Sequence, residues 1–260
     1  MRKATNQLIY DLIDEIAPFD TQADFDNAGF LIGTQGAEVE NILVALDATP
    51  KVVQEAAEKK AQLLIIHHPL MFHAVKTLRQ DSYEGALLSQ IIHQGLSVIS
   101  VHTNLDQTEL SGAAVIGRQL GLTYLRKADP YIFLGDLPQP LNARTLGVQV
   151  GDLLGQRLRC YGHAELEITT LAIAGGAYDE GFIAAREAGA QALLTGEVRH
   201  HNAVAAAESG FVLFDGGHFH TEIGMMRELA RYLQTTLNTL QYRVGVYASA
   251  ADSGAKGYTL

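Results

Sequence analysis

Leu8, Ile9, Leu12, Ile13 and Ile16 recur with the 3.6-residue period, and Pro18 ends the run, so the chain is predicted to open with an amphipathic helix. A polar, glycine-containing loop, FDNAGFLIGTQG, follows. The apolar run Asn41–Leu46 then reads as a buried strand. Thr49-Pro50 is a helix start, with Thr as cap and Pro at the first helical position, and it leads into VVQEAAEKKA. A second strand is predicted at Leu63–Ile66, a helix at Tyr83–Gln94 and a third strand at Leu96–Val101. The second half repeats the rhythm. Strand Thr170–Ala174, helix Glu180–Ala188, strand Ala192–Thr195, helix Asn202–Ser209 and strand Phe211–Phe214 follow in turn. A last helix carries Ile223, Met226, Ala230, Leu233 and Leu237 on one face, with Thr221 as its expected cap.

This alternation predicts an α/β fold of two similar α/β lobes, in three layers with mixed sheets. With one single-residue gap, ILVALDATPKVVQEAAEKKAQLLIIHH and TLAIAGGAYDEGFIAAREAGAQALLTGE align strand, helix and strand. An internal duplication would leave that match, and so would any two strand–helix–strand units; both origins stay open. The Pro-containing stretch Asp129–Pro140 is the expected boundary. It separates an N-terminal lobe, 1–128, from a C-terminal lobe, 129–248. The helix and strand after residue 218 are free to pack back on the first lobe. The small, polar segment 249–260 is expected to be a loosely held tail.

Composition narrows the chemistry. With 47% hydrophobic and 18% charged residues in 260, the chain is globular rather than disordered. Nineteen basic against 29 acidic residues give a net charge of -10, which disfavours binding nucleic acid through phosphates. No apolar stretch reaches the length of a membrane span, and Asp11, Asp14 and Glu15 interrupt what a signal peptide would need, so a cytoplasmic protein is expected. The lone Cys160 can form neither an internal disulfide nor a thiolate metal site and is expected to be a small core residue. Any metal must therefore be held by imidazole and carboxylate groups.

Three strand ends carry such groups. Leu63–Ile66 runs into His67-His68-Pro69. Pro69 biases His68 toward extended backbone, where neighbours point in opposite directions. The pair is thus expected to serve two neighbouring ions, or one ligand and one supporting group; two ordinary strand-end histidines are the alternative. Leu96–Val101 runs into His102-Thr103-Asn104-Leu105-Asp106, where Asp106 offers a hard oxygen ligand or closes an Asx turn. Phe211–Phe214 leads to His218 and Glu222, four residues apart at a helix start. His67, His68, Asp106, His218 and Glu222 together suit Zn, Mn, Fe or Co and suit Mg or Ca poorly. Five donors exceed the three protein ligands of a mononuclear catalytic zinc, so two divalent ions sharing a bridging carboxylate are expected. His102 and Glu197 are candidate proton-transfer or orienting groups. Asp26 to Gly33 is either a loop lining the site or a turn. Gly175-Gly176 is either an anion cradle or a bare tight turn. His200 and His201 are candidate supporting groups, and His220 is expected to face solvent.

FDNAGFLIG, LLIIHHPLMF, SVHTNLD, IAGGAYDEGF, ALLTGEVRHH and FDGGHFHTE, in that order, resemble the NIF-three-like proteins, named GTP cyclohydrolase 1 type 2 homologs. The resemblance runs from the first helix to about Tyr247, in the short form without an inserted domain. It places the family's metal ligands on His67, His68, Asp106, His218 and Glu222. It also implies a dinuclear metal centre in the cleft between two similar lobes, and toroidal homohexamers with the sites facing inward. Phe25 stands where many members have Trp, and Phe30 where Leu is common; neither is a ligand. The expected function is a metal-dependent hydrolase acting on a nucleotide-like or phosphorylated small molecule. The alternative is a non-enzymatic metal-binding module such as a metallochaperone, sensor or adaptor.

Overall fold

Runs apolar on both faces of the strand make the centre of each sheet. The computed structural model describes residues 3–252 and 254. In chain order, Ala4–Thr5 (β1) leads into Asn6–Asp14 (α1), capped by the Thr5 hydroxyl on the Leu8 N–H. Gly29–Ile32 (β2), Glu38–Val39 (β3), Asn41–Ala45 (β4), Pro50–Glu58 (α2), Leu63–Ile66 (β5), Tyr83–His93 (α3), Ser97–Ser100 (β6) and the single turn Thr103–Asp106 (α4) follow. Next come Gly112–Gln119 (α5), Thr123–Lys127 (β7), Phe133–Asn142 (β8), Ala143–Leu154 (α6), Arg159–Tyr161 (β9), Glu167–Ile173 (β10) and Phe182–Glu187 (α7). Ala192–Thr195 (β11), His200–Glu208 (α8), Val212–Asp215 (β12), His218–Thr239 (α9) and Gly245–Ala248 (β13) complete the order. Thr49 caps α2 as expected, its side chain accepting from the Val52 N–H at 3.3 Å.

The chain divides into two units, Met1–Thr108 with Met226–Leu260, and Glu109–Met225. The expected boundary at 128/129 thus falls inside the second unit. The physical reason is pairing: β7 hydrogen-bonds to β8, and α5 packs in the same core as β8 and β10. Most of the Asp129–Pro140 stretch expected as the boundary belongs to the strand Phe133–Asn142. Its pairing with β10 is irregular between Asp136 and Leu141, which is where Pro138 and Pro140 lack an N–H to donate.

The first unit holds a five-stranded mixed sheet in the order β13-β4-β5-β6-β2, parallel except for β2. Leu43, Ala45, Leu64, Ile66 and Val98 face α2 and α3 through Val52, Val53, Ala56, Leu87 and Ile91. The alternate residues Ile42, Val44, Leu63, Ile65 and Ile99 are just as buried on the other face. There Asn6, at the start of α1, donates to the Ser97 hydroxyl at 2.9 Å. The segment after β13 is pinned rather than loose as far as Asp252. Ser249 Oγ and the Ala250 and Ala251 N–H groups donate to the Glu55 carboxylate, and Asp252 accepts from the Leu46 N–H. Residues 253 and 255–260 of the expected tail lie outside the described residues.

The second unit holds a six-stranded mixed sheet, β7-β8-β10-β11-β12-β9, whose β10, β11 and β12 are parallel. Leu171, Ile173, Leu194 and Phe214 face α5 and α6, while Ala172, Ala174, Leu193 and Leu213 face α7 and α8. This is a helix–sheet–helix sandwich in three layers. Cys160 lies exposed on the edge strand β9 rather than in the core, because β9 is short and pairs on one side only. No helix among the described residues is long and apolar enough to cross a membrane.

Candidate metal centre

Register brings the donors of the first unit together. Ala45 pairs with Ile66 and Ile66 with Ser100, so Asp47, His68 and His102 each stand two residues beyond one aligned row at the carboxyl ends of parallel strands. His67 stands one residue beyond, beside Val101. The alternation expected of adjacent extended histidines does not persist past Ile66. The N–H groups of His67 and His68 both turn to the Leu46 carbonyl, at 3.1 and 3.2 Å, and the two ring centroids stand 5.0 Å apart. A ring nitrogen from each of His67, His68 and His102 lies within 4.8 Å of the others.

Hydrogen bonding sets the tautomer of each ring. His67 Nδ1 donates to the Val101 carbonyl at 2.7 Å, an oxygen that can only accept. His68 Nδ1 meets Asp47 Oδ1 at 2.8 Å and His102 Nδ1 meets Asp26 Oδ1 at 2.7 Å. With Nδ1 carrying the proton, Nε2 keeps its lone pair, as in histidines that bind metals. His67 is fully buried, and its Nε2 stands 3.7 Å from Asp106 Oδ2. Asp106 ends α4, which Asn104 fastens by donating to the Ala17 carbonyl at 2.7 Å. Burial pushes the Asp26 carboxyl up, but the hydrogen bonds from His102 and Thr103 outweigh it and hold it at about 2. Asp26 therefore stands against the donors, and Asn27 ties its turn to the Met71 carbonyl at 2.8 Å; beyond it, Gly29–Ile32 of the expected loop is strand β2, because it finds a partner in β6.

The second unit repeats this chemistry at the ends of β10, β11 and β12. His218 is the first residue of α9 and Glu222 lies one turn on, with Nε2 and Oε2 3.2 Å apart. His218 Nδ1 meets Glu197 Oε1 at 2.6 Å, so Glu197 orients the ring. Thr221 is not the cap of α9. It sits one turn inside, where its hydroxyl reaches back to the Gly217 and His218 carbonyls and accepts from the Gly176 N–H at 3.2 Å. That contact occupies the Gly176 N–H, and the Gly175-Gly176 turn packs against the Glu222 carboxylate. His200 and His201 lie on the exposed first turn of α8, and His220 is half-buried beside Phe219. A cavity of about 490 Å³ beside α6 and β9 contains none of these donors. Asp47 and the Val101 carbonyl escaped the sequence reading. Their signal is position, since each stands one or two residues past a strand end, as His67 and His102 do.

The fold and these sites define an α/β protein whose histidine and carboxylate groups could hold a metal ion, with the imidazoles preset to present Nε2. The chain belongs to the Duf34/NIF3 (NGG1p interacting factor 3) family, whose family model matches residues 4–253. It is 29% identical to the GTP cyclohydrolase 1 type 2 homolog of Clostridium acetobutylicum over 92% of each chain. It is 31% identical to the GTP cyclohydrolase 1 type 2 of Helicobacter pylori over 87% of this chain and 90% of that one. Among solved structures, a Staphylococcus aureus hypothetical protein superposes with a TM-score of 0.93 at 24% identity, covering 98% of this chain and 99% of the other. A Bacillus cereus protein related to NIF3 superposes at 0.91 and 18% identity, covering 96% and 98%. These likenesses bear out the fold.

Proposed function

We propose that the protein is a dinuclear metal-dependent hydrolase, with His67, His68, Asp106, His218 and Glu222 as its metal ligands. The observation that carries the reading is the shared preset of the imidazoles. A carboxylate or carbonyl engages Nδ1 of His67, His68 and His218, the arrangement that orients metal-binding imidazoles. Soft thiolates are absent from the set, and nitrogen with oxygen donors suits Zn, Fe, Mn or Co. When bound, such ions would supply a Lewis acid and an acidified water for hydrolysis. The protein's own part is positional. Asp47 and Glu197 hold the rings of His68 and His218, and the Gly176 turn backs the Glu222 carboxylate.

The names of the relatives point to GTP, and nucleotide-like or phosphorylated small molecules are the proposed substrate class. Elemental analysis of the purified chain should find about two transition-metal ions per chain. Asp106→Ala and Glu222→Ala should each lower that number; unchanged metal in both would overturn the ligand set. The metal-loaded protein should then turn over GTP or another member of a nucleotide and phosphoester panel, with turnover lost in both variants. Metal retained without any turnover would leave the metal-binding module. Family resemblance also supports a homohexameric ring, which sedimentation would show as a particle of six chains.

A further inference from the structure

We propose that His102 is a further metal donor, alongside His67 and His68, and that Asp26 is its positioning residue. The proposal rests on the metal reading above and adds a residue to it. Three observations carry it. The His102 ring stands edge-on to His67, with centroids 4.9 Å apart, and 5.7 Å from His68. A ring nitrogen of His102 lies within 4.8 Å of the donor atoms of both. Its Nδ1 is held as theirs are, by an acceptor that leaves Nε2 as the lone-pair nitrogen.

The holder is built for the task. The Asp26 side chain is fully buried, and besides His102 it accepts from the Thr103 N–H at 3.0 Å and from the Thr103 hydroxyl. Its loop is fastened at both flanks: Ala23 N–H donates to Thr103 Oγ1 at 3.0 Å and Ala28 N–H to Gln22 Oε1 at 2.8 Å. A carboxylate so fixed leaves the imidazole one orientation. Register supports the same conclusion, because His102 and His68 occupy equivalent positions two residues beyond paired strand residues.

Cobalt(II) titrated into the chelator-stripped, full-length chain tests this, read by visible d–d absorption and by bound cobalt after dialysis. His102→Ala should weaken cobalt binding about 10- to 100-fold and change the absorption envelope, and Asp26→Asn should shift both in the same direction. Added imidazole should restore part of the His102→Ala signal, which separates loss of a donor from loss of folding. Wild-type affinity and spectrum in His102→Ala, with binding lost in His67→Ala, would overturn this proposal alone. Wild-type binding in both variants would overturn the metal reading beneath it. An X-ray absorption spectrum of the cobalt-loaded wild type that loses no imidazole scattering in His102→Ala would likewise overturn it.

Discussion

A Cβ at position 176 would stand 2.3 Å from Glu222 Oε1 and 3.3 Å from His218 Nε2, and the backbone there has φ +59. Both facts demand glycine, one for space and one for conformation. Gly176→Ala should therefore cost about 1–3 kcal/mol in backbone strain and push the Glu222 carboxylate aside. A thermal melt should show a lowered midpoint, and elemental analysis a lowered metal content. A variant that melts lower but keeps its metal would mean that Gly176 serves folding alone. In the sequence, Gly175-Gly176 is legible as an anion cradle or a bare tight turn. That the turn abuts Glu222, 46 residues further along, is a matter of packing and leaves no local signal.

Between elements, Glu55 is the clearest dependence. It lies on the inward side of α2, buried, and its carboxylate gathers three donors from Ser249, Ala250 and Ala251. Burial raises its pKa, but those hydrogen bonds outweigh it and bring it below the ordinary 4.5. A depressed folded pKa contributes stability that is complete above 4.5 and is lost as the pH falls through the lower folded value. Glu55→Gln should thus cost about 1–3 kcal/mol at neutral pH. Urea unfolding should show the gap between wild type and variant closing below that pH. Sequence periodicity could place Glu55 on a helix, but the apolar neighbours Val52, Val53 and Ala56 gave no reason to bury a carboxylate among them. The clasp exists because β13 pairs in parallel with β4, which aims the chain end at α2.

At the scale of the molecule, the first unit is completed by the end of the chain, since β13 supplies an edge of its sheet. Stability of the whole should follow metal occupancy, because a ligand that binds only the folded chain stabilises it. Free zinc at 100 times its dissociation constant would add about 2.7 kcal/mol. Chelation should lower the melting midpoint by several degrees, and returning zinc or manganese should restore it. A midpoint indifferent to chelator in a chain shown to lose its metal would argue that the donors are held without the ions.

The sequence by itself located strands within 41–46, 63–66, 96–101 and 192–195, and the core of one at 170–174, because each run is largely apolar and such runs have few other destinations in water. It also determined that chemistry gathers at strand ends, since His67, His68, His102 and His218 directly follow or closely flank them. Only the tertiary structure decided which carboxylate or carbonyl holds each ring. Asp26 reaches His102 across 76 residues, beside the antiparallel β2–β6 pair, and Asp47 reaches His68 across 21, through the parallel β4–β5 register; no local pattern encodes either. It also decided that the second unit begins near residue 109 and that the strand from 133 to 142 crosses its prolines. Both outcomes follow from which strands find partners, and pairing is a property of the folded sheet rather than of any one segment.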